Sequence, residues 1–209
     1  MFFLKKKDTT FLDDKIIFFL HGYGSNAENI VNILEVFQIK RPQYHYCALQ
    51  APNVWPHDEF GFQWFPLPDI EGKGIIEGLK FSGSSLADQI DTVLKDHQIL
   101  AEDTIVGGFS QGGMMSLNCL YGDVSYAGII SYSGGFFEYG KPVKNIPSLL
   151  IHGNQDQVVT IEQHVKSVQS LEKYSIPFEQ HVISGLEHSI DMDGINKGIS
   201  FIDKIFIEL

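Results

Sequence analysis

Residues 104–117 read TIVGGFSQGGMMSL, from Thr104 to Leu117. The core of this stretch, Gly108-Phe109-Ser110-Gln111-Gly112, fits G-x-S-x-G, the pattern of a serine held on a sharp strand-to-helix turn. A pattern this short recurs by chance in a chain with 20 glycines, so the flanking residues carry the decision. Thr104–Val106 is a brief strand-forming run, and Met114, Met115 and Leu117 belong to a helix that follows. Glycine on both sides permits the turn without a side-chain clash. The hydroxyl is then pushed outward, and the Gln111 amide faces the same space.

Working outward, short apolar runs alternate with helical patterns. Ile16–Leu20 (IIFFL) reads as a strand buried on both faces. Ser25-Asn26-Ala27-Glu28 reads as a capping box, with Ser25 and Glu28 as the capping pair, and Ala27, Ile30, Val31, Leu34 and Phe37 follow at helical spacing. Tyr44–Leu49, Ala127–Ser131, Pro147–Ile151 and Phe178–Ile183 are further strands. Helical spacing over Leu86, Ile90, Val93 and Leu94 starts near Ser84 or Ser85. A second capping box, at Thr160–Gln163, opens a helix with Val165, Val168 and Leu171 inward, and Ile195, Ile199, Ile202 and Phe206 mark the last helix. Such alternation predicts an α/β fold, a mostly parallel central sheet with helices on both faces.

The stretch from Gln50 to Phe81 has no clear period. It holds Pro52, Pro56, Pro66 and Pro68 among Trp55, Phe60, Trp64 and Phe65. A long loop inside a compact domain is usually functional, so this segment is expected to form a substrate groove or flap. With 209 residues, a single domain spanning 1–209 is expected, without repeat or linker.

Composition excludes several classes of partner. A net charge of −11 leaves no basic surface to neutralise nucleic-acid phosphates or to seek anionic membranes. Lys5-Lys6-Lys7 is read as a solvated arm. No apolar stretch reaches about 18 residues, so no integral membrane segment is expected. Phe2–Leu4 is too short for the apolar core of a signal peptide. Cys47 and Cys119 sit in apolar runs and are read as free thiols, which points to a cytoplasmic chain.

Parallel sheets place their active sites beyond the carboxyl ends of strands. A serine nucleophile needs a base, and the base an orienting carboxylate, here in the chain order nucleophile, acid, base. Asp156 follows the strand ending at Ile151, in a loop before a capped helix. Of the histidines beyond it, His164 falls on a helix and His181 within a strand. His188 lies in the loop after the last strand. Catalytic Ser110, Asp156 and His188 are therefore expected. The Gln111 amide and the amide of Tyr23, in the loop His21-Gly22-Tyr23-Gly24, are the expected oxyanion donors. His21 precedes the serine and abuts a buried strand, which suits a core role. No metal or other cofactor is expected.

These landmarks resemble the phospholipase/carboxylesterase family of α/β-hydrolases, which includes acyl-protein thioesterases and bacterial lysophospholipase-like esterases. The matching stretches are FLHGYGS (19–25), QWF (63–65), GGFSQGG (107–113), SGG (133–135), HGNQDQVV (152–159) and GLEHSI (185–190), spanning nearly the whole chain. The resemblance implies the same triad and the same oxyanion amides. It is compatible with a homodimer, which no pattern in the sequence establishes. One position departs: the family usually has glycine before the last histidine, where this chain has Glu187, which bears on rate rather than on reaction.

The family lacks a large cap domain, and this chain has no room for one. Substrate contacts then fall to Trp55, Phe60, Trp64, Phe65, Ile75, Ile76 and Met114 as candidate groove residues. The resulting expectation is a cofactor-free serine esterase acting on carboxylic esters, thioesters or lysophospholipids of apolar acyl groups, with a small-molecule, lipid-like or acylated-protein substrate. The alternatives are a non-catalytic α/β-hydrolase that binds a lipid-like ligand or a protein, and a peptidase or lactone hydrolase on the same fold.

Overall fold

The computed structural model describes residues 1–7, 14–67 and 73–207. In chain order the strands and helices are β1 (Phe2–Leu4), β2 (Ile16–Leu20), α1 (Ala27–Lys40), β3 (His45–Leu49), β4 (Asn53–Trp55), β5 (Asp58–Gln63), α2 (Lys73–His97), β6 (Thr104–Phe109), α3 (Gln111–Asn118), β7 (Gly128–Tyr132), β8 (Ser148–Gly153), α4 (Ile161–Lys173), β9 (Phe178–Ile183) and α5 (Met192–Ile207). Seven strands form one sheet in the order β1-β3-β2-β6-β7-β8-β9. Within it β1 runs antiparallel to β3, and the other neighbours are parallel.

Every residue of β2 is buried, as a continuous apolar run requires. Successive side chains point to opposite faces of a strand. Ile16, Phe18 and Leu20 accordingly join Leu86 and Ile90 of α2, Met115 and Leu117 of α3 and Leu171 of α4 in one core layer. Ile17 and Phe19 join Leu34 and Phe37 of α1 with Ile199 and Ile202 of α5 in the other. The sheet is thus covered on both faces, and the loops after β2, β6, β7, β8 and β9 gather at one edge. Among the described residues, no helix is long and apolar enough to cross a membrane.

Four local expectations change. First, β6 continues through Gly107 and Gly108 to Phe109, pairing with Phe19 and Leu20 of β2, so these glycines are strand residues before they are turn residues. Second, the N-cap of α1 is Asn26, whose side-chain oxygen accepts from the Asn29 amide at 3.0 Å. Ser25 is drawn away from that role because its carbonyl accepts from the Phe62 amide at 2.7 Å. Third, the amino-terminal arm is part of the fold. Lys7 N–H donates to Pro42 O at 2.7 Å, and Lys6 pairs with Asp14 at 2.6 Å. Fourth, the aperiodic segment contains the β4–β5 hairpin and the first turns of α2, which starts well before Ser84. Gly74, Gly78 and Gly83 dilute the helical pattern there. At Gly78 a side chain would overlap the Phe65 ring, so packing dictates the glycine. Residues 68–72 of that segment, with Pro68, lie outside the described residues.

Candidate active site

Ser110 joins β6 to α3 with φ 54° and ψ −118°, a conformation that a side-chain-bearing residue rarely adopts. The turn is feasible because the residues two before and two after Ser110 are glycines. A Cβ on Gly108 would overlap the Gly112 carbonyl group, and one on Gly112 would overlap the Leu20 carbonyl of β2. The Ser110 amide donates to Tyr132 O at 2.9 Å, which ties the turn to the end of β7. The hydroxyl has no hydrogen-bond partner among the described residues.

Two later loops bring Asp156 and His188 together. His188 Nδ1 lies 2.7 Å from Asp156 Oδ2, with the aspartate side chain fully buried. The other oxygen, Oδ1, accepts from the Val158 and Val159 amides, each at 2.9 Å. Burial alone would raise the Asp156 pKa. The bonds from His188, Val158 and Val159 outweigh it and hold the carboxylate below its ordinary range. The two loops are stitched to each other: Gln155 N–H donates to Leu186 O at 3.0 Å, and Gly185 N–H to Asn154 Oδ1 at 2.7 Å. A side chain on Gly153 would overlap the Leu186 carbonyl, so this close approach needs glycine. The imidazole of His188 packs on Phe109, the residue before Ser110, with ring centroids 4.7 Å apart. Glu187 beside it is exposed.

The loop after β2 lies against the serine turn, and a Cβ on Gly22 would come within 3.3 Å of Ser110 Cβ. Gly24 N–H donates to Phe62 O at 2.9 Å, so β5 holds this loop. The Tyr23 and Gln111 amides, by contrast, have no acceptor among the described residues. His21 is fully buried with both ring nitrogens engaged: Nδ1 lies 2.8 Å from Gly22 O, and Nε2 accepts from the Ala51 amide at 3.1 Å. The carbonyl contact requires the proton on Nδ1. Burial depresses the His21 pKa to about 4, so the ring is neutral and structural.

Sequence reasoning assigned Gln111 only its amide and overlooked its side chain. Gln111 Oε1 accepts from the Trp64 amide at 2.9 Å, and Nε2 donates to Phe65 O at 2.8 Å. The residue after the serine therefore anchors the 63–65 segment to the turn. The available signal was a long amide side chain at a position otherwise surrounded by glycine.

The candidate groove residues divide by burial. Trp64 and Phe65 are each 1% exposed and belong to the core, with the Trp64 indole donating to His21 O at 2.9 Å. They support the site from beneath and do not form an open wall. Met114 is buried in the same core, and Ile75 packs against it. Ile76 is half-buried on α2. Trp55 stands edge-on to Tyr23 with ring centroids 5.8 Å apart, and Phe60, on β5, is 70% exposed.

Comparison with known proteins agrees with this fold. Residues 10–206 match the profile of the Phospholipase/Carboxylesterase family. The acyl-protein thioesterase 1 homolog 1 of Dictyostelium discoideum is 27% identical over 217 residues, covering 97% of this chain and 94% of that protein. The crystal structure of esterase PE8 superposes with a TM-score of 0.90 at 26% identity, covering 98% of this chain and 97% of the other. The Bacillus cereus carboxylesterase shares the fold, with a TM-score of 0.81 at 18% identity over 98% of this chain and 93% of that one. On these matches and this sheet, the chain belongs to the phospholipase/carboxylesterase family, a carboxylic ester hydrolase on the α/β-hydrolase fold.

Proposed function

We propose that Ser110 is the nucleophile, His188 the general base and acid, and Asp156 the group that orients and charges the base. Ser110 Oγ attacks the acyl carbonyl carbon while its proton passes to His188 Nε2. Asp156 Oδ2, which faces His188 Nδ1 at 2.7 Å, selects the tautomer with a free Nε2 and stabilises the imidazolium that forms. The negative charge on the carbonyl oxygen is met by the Tyr23 and Gln111 amides. Collapse of the tetrahedral intermediate expels the alcohol or thiol, which takes the proton from His188. Water, deprotonated by His188, then releases the carboxylic acid and restores the serine.

The observation that carries this reading is the 2.7 Å His188–Asp156 contact next to a serine at φ 54°, with Phe109 linking the two. A chain that only bound a ligand would have no need for a strained serine beside an oriented imidazole. The acyl group lies along the β4–β5 hairpin, where Trp55 is half-buried against Tyr23 and Phe60 is exposed. Similarity to an acyl-protein thioesterase extends the substrate class from oxygen esters, lipid-like acyl esters among them, to the thioesters of acylated proteins. Cys47 and Cys119 are both free, which suits a reducing compartment such as the cytoplasm. Ser110→Ala is expected to abolish both hydrolysis of a p-nitrophenyl ester and covalent labelling by a fluorophosphonate probe. Labelling that survives the substitution would overturn the assignment.

A further inference from the structure

His152, at the end of β8, is a histidine near the site that the proposed chemistry leaves without a task. Its side chain is buried, and Nε2 lies 2.6 Å from Val159 O. A carbonyl only accepts, so Nε2 carries the proton. The same nitrogen lies 3.5 Å from Asp156 Oδ2, the oxygen that faces His188. The other ring nitrogen, Nδ1, is buried with no hydrogen-bond partner among the described residues. A second proton placed there would meet no acceptor, and burial also lowers the pKa of this ring. His152 is thus held as the neutral Nε2–H tautomer.

The surroundings of the ring are consistent with that state. Asp156 faces it from the loop after β8, and His188 lies across Asp156 from the loop after β9. From α4, His164 approaches with ring centroids 5.1 Å apart, its own Nε2 lying 3.0 Å from Gln180 Oε1 on β9. Burial depresses His164 as well, so no cation faces His152 from the helix.

Resting on the assignment of Asp156 and His188 above, we infer that His152 is a positioning residue for the hydrolysis. Its bond to the Val159 carbonyl closes the turn 156–159. Closure aims the Val158 and Val159 amides at Asp156 Oδ1 and leaves Oδ2 to His188. Without that bond the turn opens at Val159, Asp156 loses an amide donor, and the carboxylate swings relative to the imidazole. Displacement of a catalytic group by about 1 Å can cost on the order of 100-fold in rate.

The test compares His152→Phe, which fills the volume without a donor, with His152→Gln and His152→Asn. Both replacement amides carry N–H groups, but only glutamine is long enough to reach Val159 O. Rates are normalised to active sites counted by fluorophosphonate labelling, so that loss of folded protein does not count as loss of rate. His152→Phe and His152→Asn are expected to lower kcat by about 10- to 100-fold with little change in KM. Their kcat/KM profiles should also move the acid limb to lower pH, because a looser carboxylate stabilises the imidazolium less. His152→Gln should restore most of kcat and return the limb. Should His152→Phe not fold, the glutamine–asparagine comparison carries the test. Equal kcat and an unmoved acid limb in those two variants would overturn the inference. Failure of the underlying triad reading looks different, as labelling that persists in Ser110→Ala with His152 intact.

Discussion

Replacing Ser110 with glycine is expected to inactivate the protein and to make it more stable. Ser110 occupies φ 54° and ψ −118°. Side-chain-bearing residues in such sparsely populated regions cost about 1–3 kcal/mol. Glycine has no Cβ and adopts these angles as readily as their mirror image, which is ordinary extended backbone, so the strain is relieved. Against this stands the extra freedom of glycine in the unfolded chain, about 0.5–1 kcal/mol. The net gain is about 0–2.5 kcal/mol. Ser110→Ala is the proper reference, because it removes the hydroxyl equally but keeps Cβ and the strain. In a domain of this size about 1 kcal/mol corresponds to about 2–4 °C in Tm, so the glycine variant should melt up to about 10 °C above the alanine variant. Urea unfolding at neutral pH, with unchanged m-values, supplies the free-energy difference directly. Both variants should be inert to the fluorophosphonate probe. A glycine variant no more stable than the alanine variant would refute the claim that the turn stores strain.

Three other outcomes are expected. Gln111→Leu leaves the buried Trp64 amide and Phe65 carbonyl unpaired, at about 1–3 kcal/mol each, so urea unfolding should show a loss of about 2–6 kcal/mol; less than about 1 kcal/mol would mean the side chain is not an anchor. Asp156→Asn removes the charge opposite His188 and is expected to reduce kcat by about 10,000-fold with KM nearly unchanged, while a loss under about 10-fold would count against the assigned role. Stability should also fall in mild acid through His21, whose folded-state pKa of about 4 lies below its ordinary 6.5. Because the folded value is the lower one, the unfolded chain binds a proton that the folded chain refuses. Stability is therefore complete above about pH 6.5 and declines by about 3 kcal/mol on approach to pH 4. Urea midpoints at several pH values should show this decline, and His21→Asn should flatten it; an unaltered slope would place the proton uptake elsewhere.

The chemical order of the site was legible because each of its parts has a local signature. Glycines around Ser110, an aspartate ahead of a helix start and a histidine after the final strand can be placed on the sheet edge from spacing alone, although the capping box expected at Thr160 does not form, since its side chain makes no cap bond. The strands Ile16–Leu20 and Phe178–Ile183 coincide with β2 and β9, since a short apolar or alternating run between turn residues has few other readings. The start of α2 was hidden because Gly78 answers to the Phe65 ring and Gly83 to the Asn118 side chain, neighbours distant in sequence. For the same reason Trp64 and Phe65 read as candidate groove residues, when hydrogen bonds with Gln111 and Ser82 secure them in the core.

By itself the sequence determined the strand–helix alternation, the family and the identity of the residues proposed for catalysis, all properties of short stretches and their order. Tertiary structure decided how those residues are held. It lies behind the 2.7 Å approach of His188 to Asp156, the anchoring of residues 63–65 by Gln111, and the neutral states of His21 and His152. Each depends on distances between segments remote in the chain and on the exclusion of water between them. Residue order alone does not encode such distances in any local pattern.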